Sequence, residues 1–175
     1  MLRIVTMLFL AAVVSFAPLG ASAIDPENMT PEDYTLVERN CKAAQGSMQR
    51  IKYVDPIYRV NRGVAYSTIS KLMTALTNRA AFNAFQLPQL SQETTAVQDL
   101  RSQFANDYTD YEIALSDAIS YNCLSNPQEF YRKVVDVRTK RSIVALRVRE
   151  IERRLDAFSA ATVELSKLIS LQVEQ

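Results

Sequence analysis

Few residues in this chain have types and spacings that could do chemistry. Asp107, Asp110 and Glu112 come nearest, since neighbouring carboxylates can share a proton or hold a hard cation. On a helix that spacing spreads the three around the surface, so the expectation is a solvated or salt-bridged face. There is no histidine. That removes the commonest general base and metal ligand, and with them the Ser-His, Cys-His and H-E-x-x-H arrangements. The three glycines, Gly20, Gly46 and Gly63, do not gather into a phosphate-cradling loop. No catalytic, cofactor-binding or metal site is expected, and no enzyme.

Cys41 and Cys123 are the remaining reactive pair. Without C-x-x-C spacing they read as one structural disulfide, with a redox pair or an intermolecular bridge as the alternatives. Closing a loop of 82 residues stabilises by about 4–5 kcal/mol in the chain-entropy model. The compartment follows from the N-terminus. Arg3, the apolar run Ile4–Phe16 and Ala21-Ser22-Ala23 have the form of a secretory signal peptide, residues 1–23, cut before Ile24. An uncleaved anchor is the alternative, but the run is short of the ~20 residues a span needs. Residues 24–175 then form one helical domain, secreted or held in the periplasm or cell envelope. Asn28-Met29-Thr30 has the form of a glycosylation sequon, relevant only to a eukaryotic secretory pathway.

Lys and Arg number 20 and Asp and Glu 19, so loss of Arg3 leaves the chain formally neutral. Nucleic acid, which calls for a strongly basic face, is not an expected partner. The basic run from Arg132 to Arg154 could attract anionic lipid or glycan. Glu150 and Glu152 interrupt it, and internal charge matching is the simpler reading. Tyr53, Tyr58, Tyr121, Phe130 and Tyr131 are expected near the pole that holds Cys123, closing the end of a bundle rather than stacking on a ligand.

The elements that position these groups are all helical. Thr30-Pro31-Glu32-Asp33 signals a helix start, and Gly46 a weak point. Asp55-Pro56 reads as a second start, for a helix reaching about Phe85 with Ile57, Val60, Val64, Thr68, Leu72, Ala75 and Leu76 on one face. Whether these are one helix or two is open. After Leu87-Pro88-Gln89, Ser91 is expected to cap a helix to about Asn122, and Asn126 with Glu129 to open the last one. In that last helix Phe130, Val134, Val137, Arg141, Val144, Val148, Ile151, Leu155, Phe158, Thr162, Leu165 and Ile169 step by threes and fours, a heptad repeat. The expected fold is an elongated antiparallel three- or four-helix bundle with a long C-terminal coiled-coil helix. Folding the acidic third helix on the basic fourth sets Asp117 near Lys133, Glu112 near Arg138 and Asp110 near Lys140. It also predicts a partly buried Asp107–Arg141 ion pair that fixes alignment. Beyond Phe158 the third helix runs out, which leaves the loop around Pro88, a second copy or another molecule to cover the end, with Phe158, Ala161, Leu165, Leu168 and Ile169 as its expected partner-binding residues.

Arg59-Val60-Asn61-Arg62-Gly63, with Tyr66, Ile69-Ser70 and Leu72-Met73, and with Cys41, Cys123 and Phe130-Tyr131, resembles a motif of uncharacterised secreted helical (coiled-coil) proteins of bacteria. The resemblance implies a compartment and an architecture. It carries no activity and no functional residue. The function expected is a non-enzymatic structural or scaffolding protein of the cell envelope or an extracellular assembly. It would act by helix–helix association with itself or a protein partner. A periplasmic holdase is the first alternative, and a membrane-surface-binding helical protein the second.

Overall fold

The structure, a computed structural model, describes residues 24–173, and the signal peptide expected at 1–23 lies outside them. The described residues form three helices: α1 Pro31–Phe82, α2 Pro88–Ser120 and α3 Pro127–Val173. The all-α expectation holds.

The first helix starts where its capping chemistry says it should. Thr30 Oγ1 accepts the Asp33 N–H at 3.2 Å, and the Asp33 carboxylate accepts the Thr30 N–H at 2.9 Å. From there α1 is one piece of 52 residues, about 78 Å long at 1.5 Å per residue. That settles the open choice between one helix and two, since neither candidate break, Gly46 or Pro56, interrupts it. Gly46 is an exposed interior glycine whose cost is only about 0.5–1 kcal/mol. Pro56 sits inside the helix, at a cost of about 3 kcal/mol or more for the lost hydrogen bond and the ring clash. Two tyrosines of α2 hold the chain there: the Tyr108 hydroxyl donates to the Asp55 carbonyl at 2.8 Å, and the Tyr111 hydroxyl to the Asp55 carboxylate at 2.7 Å.

The turn after α1 is closed by backbone bonds from Phe85 N–H to Ala80 at 2.9 Å and from Ala84 N–H to Ala81 at 3.0 Å. This pattern needs a left-handed residue, and Ala84 occupies it at φ 61°. The second helix begins at Pro88 rather than at Ser91. Proline has no N–H to leave unpaired in the first turn, so it opens the helix without a side-chain cap on Leu87. Asn126 caps α3 as expected, accepting the Glu129 N–H at 3.0 Å.

The chain runs up, down and up, with Asp55 of α1 against Tyr111 of α2 and Glu93 of α2 against Arg154 of α3. Two buried clusters hold it together. Through both, α3 presents one residue in every seven: Phe130, Val137, Val144, Ile151, Phe158 and Leu165 are all buried. Cys41 and Cys123 are joined with Cα atoms 5.8 Å apart, stapling α1 to the segment that follows α2. Beside them, Gln45 Nε2 donates to the carbonyls of Ile119 at 3.0 Å and Tyr121 at 2.7 Å, satisfying the end of α2. Among the described residues no helix is long and apolar enough to cross a membrane.

Candidate functional site

The C-terminal end expected to meet a partner is largely covered by the chain itself. Phe158, Ala161 and Leu165 are buried with Met73 and Ala80 of α1 and Leu90 and Val97 of α2. The cover comes from the end of α1, the start of α2 and the turn between them, where Phe85 and Leu87 pack against the same cluster, so the loop around Pro88 is part of it. Only Leu168 and Ile169 of that set remain exposed.

The expected Asp107–Arg141 pair is also corrected. Asp107 accepts from Arg147 Nε at 2.9 Å, and Arg141 is exposed. On α3 the two arginines flank Val144 on opposite sides, three residues before it and three after. Arg147 lies on the flank beside α2, whereas Arg141 lines a groove of about 610 Å³ with Asp55, Tyr108 and Tyr111. The other expected pairs are replaced as well. Glu112 pairs with Arg59 of α1, Lys140 reaches Asp136 on its own helix at 3.9 Å, and Lys133 lies over the Tyr121 ring at 5.3 Å. Part of the basic run does find carboxylates: Arg153 and Arg154 both bond Glu150, and Arg153 above all holds that carboxyl below its usual range. Among the described residues, no group of three or more Cys, Asp or Glu is placed to hold a metal ion.

The aromatic residues separate into two sets. Tyr121, Phe130 and Tyr131 pack in the cluster that contains Cys123, whereas Tyr53 and Tyr58 project into solvent. Between α1 and α2 a different row runs through the core. Tyr66, Phe104, Tyr108 and Tyr111 stack edge to face or tilted, with centroids 5.7–5.8 Å apart. Burial pushes the Tyr108 phenol up to about 12, with the charges of Asp55 and Glu112 adding to it. Tyr111 is raised too, by burial first and then by its bond to Asp55.

This row exposes the unusual feature of α1. Its core stripe runs Val37, Cys41, Met48, then Tyr66, Met73 and Ala80. Between Met48 and Tyr66 the positions that continue the stripe are Lys52, Asp55, Arg59 and Arg62. Three of these find polar partners, while Lys52 is exposed: Asp55 takes the two tyrosine hydroxyls, Arg59 pairs with Glu112, and Arg62 approaches Glu152 at 3.7 Å. The apolar residues of the same segment lie on the opposite side. Tyr53, Ile57, Val60 and Val64 step by four, three and four, and are exposed by 83%, 57%, 59% and 62%. Val54, Tyr58 and Leu72 flank them and are exposed as well. The face expected to bury Ile57, Val60, Val64 and Leu72 therefore faces water. In the middle of α1 charged residues thus take the core-side positions, Asp55 and Arg59 half-buried and Lys52 and Arg62 exposed, while the hydrocarbon lies outside.

A stripe of that spacing, about 16 Å from Tyr53 to Val64, is the shape that a helix offers to another surface. Its chemistry is contact without bond making, since it holds no nucleophile or base. Searches against known protein families, characterised proteins and solved structures give no match to this chain.

Proposed function

We propose that this is an exported, non-enzymatic docking and scaffolding protein of the cell envelope or an extracellular assembly, acting through the outward face of α1. The observation that carries the reading is the inverted segment Tyr53–Val64. A chain with two buried cores nonetheless holds four apolar side chains at heptad spacing in water, while charged groups occupy the inward positions. Leaving such a stripe bare wastes roughly 25 cal/mol per Å² of apolar surface, a cost offset when a partner covers it. The disulfide and the leader-like N-terminus support export. The heptad burial of α3 supports a coiled-coil-like interior that works as a rigid spine behind α1.

The test is photocrosslinking in the cells that make the protein. A photoreactive residue at Val60 is expected to give a discrete adduct, and one at Val163, exposed on α3, to give none. Equal labelling from the two positions, or none from Val60, would sink the reading.

A further inference from the structure

The charge around the stripe identifies what it meets. From Arg39 to Gln92 the chain holds a single acidic residue, Asp55, and that carboxylate is taken by Tyr111 from the core side. Arg59 and Arg62 of the same stretch are engaged by Glu112 and Glu152. Arg39, Lys42, Arg50, Lys52, Lys71 and Arg79 are exposed, and none of them makes an ion pair among the described residues. At 3.6 residues per turn Arg39, Lys42, Arg50, Lys71 and Arg79 fall on the side of α1 that carries Tyr53, Ile57, Val60 and Val64. Between Arg39 and Arg79 the outward face is thus a short apolar and tyrosine-bearing patch with basic residues on either side and no carboxylate, Glu32 and Glu38 lying beyond it at the start of α1.

We propose that this face docks on an anionic lipid surface, α1 lying along the membrane with Ile57, Val60 and Val64 among the acyl chains near the headgroups. The inference rests on the docking reading above and names the partner of that same face. Its parts suit an interface: tyrosine has an apolar body and a polar tip, and long basic side chains reach headgroup phosphates while their stems cover hydrocarbon. Each Lys or Arg near an anionic surface strengthens binding about fivefold, and each buried valine adds about tenfold. A second copy of this chain fits less well, because pairing two stretches from Arg39 to Arg79 would bring together basic residues with no outward carboxylate between them. The expectation that membrane binding would use the basic run of α3 moves accordingly to α1.

The test uses oxidised residues 24–175, which contain the whole described fold, both buried clusters and the disulfide. The chain should float with vesicles of phosphatidylcholine and phosphatidylglycerol and not with phosphatidylcholine alone. Raising salt from about 50 mM to about 500 mM should release it. The double variant Val60→Ser/Val64→Ser should bind about a hundredfold more weakly, with its circular dichroism unchanged because both side chains are already exposed. Lys71→Gln should cost about fivefold and Val163→Ser nothing. Absence of flotation, or equal flotation of the double variant, overturns the lipid assignment. If flotation is absent while photoreactive Val60 still labels a protein, the docking reading stands and only its partner was misidentified. If both experiments fail, the face does not dock.

Discussion

High pH should unfold this protein through Tyr108 and Tyr111, and two phenylalanine substitutions should remove most of that sensitivity. Both rings are buried, at 6% and 1% exposure, and both hydroxyls donate to Asp55. Near pH 10 the unfolded chain begins to release its phenolic protons, while the folded chain keeps these two. Unfolding is then coupled to proton release, so stability that is constant below about pH 9 falls as pH rises through 10 toward 12. With Tyr108 raised from 10.0 to about 12, its contribution is on the order of 2–3 kcal/mol, lost at about 1.4 kcal/mol per pH unit. Tyr111 is shifted in the same direction and steepens the slope. The assay is denaturant unfolding followed by circular dichroism between pH 8 and pH 12, comparing the native chain with Tyr108→Phe/Tyr111→Phe. At neutral pH the variant should be less stable by about 1–3 kcal/mol, because the Asp55 carbonyl and carboxylate lose donors. Above pH 10 its curve should be the flatter of the two. Parallel curves would show that exposed lysines and the remaining tyrosines govern the alkaline loss, refuting the role given to the Asp55 anchor.

Three smaller perturbations test other parts of the structure. Replacing Cys41 and Cys123 by serine should cost up to about 4–5 kcal/mol in denaturant titration, since the bridge closes 82 residues; a loss below 1 kcal/mol would show that Gln45 and the local packing hold that pole without it. Arg141→Leu should change the melting temperature little, whereas Asp107→Ala should cost about 1–2 kcal/mol by leaving Arg147 unpaired and partly buried; the reverse order would restore the pair expected from sequence. Ala84→Gly should stabilise by about 0.5–1 kcal/mol, because glycine accepts the left-handed backbone that alanine resists; thermal unfolding would show the gain.

The ends and spacings of the helices were legible because their signals are local. Thr30 and Asn126 cap through their own side chains, and the 3–4 spacing from Phe130 to Leu165 states which stripe of α3 turns inward. What covers the C-terminal end was left open because the cover, Met73 and Ala80 of α1 with Leu90 and Val97 of α2, lies more than sixty residues earlier in the chain. No signal near Phe158 reports which of those distant residues will fold over it. The inverted segment was half visible: Ile57, Val60 and Val64 were recognised as one face of a helix, and they are one. Periodicity marks a face but carries no sign for inside or outside.

By itself, then, the sequence determined that the chain is helical, where most helices begin, that α3 has a heptad seam, and that the cysteine pair belongs to an oxidising compartment if it bridges. These follow from short-range sterics, capping bonds and composition. Only the tertiary structure decided that α1 is unbroken, that Arg147 rather than Arg141 meets Asp107, and that Asp55 and Arg59 turn toward α2. The physical reason is that a charged residue prefers water only until another element supplies its hydrogen bonds. Tyr108, Tyr111, Glu112 and Glu152 supply them here, from α2 and α3. With those polar groups satisfied on the side of α1 that faces α2 and α3, the apolar side of the same segment was left facing outward.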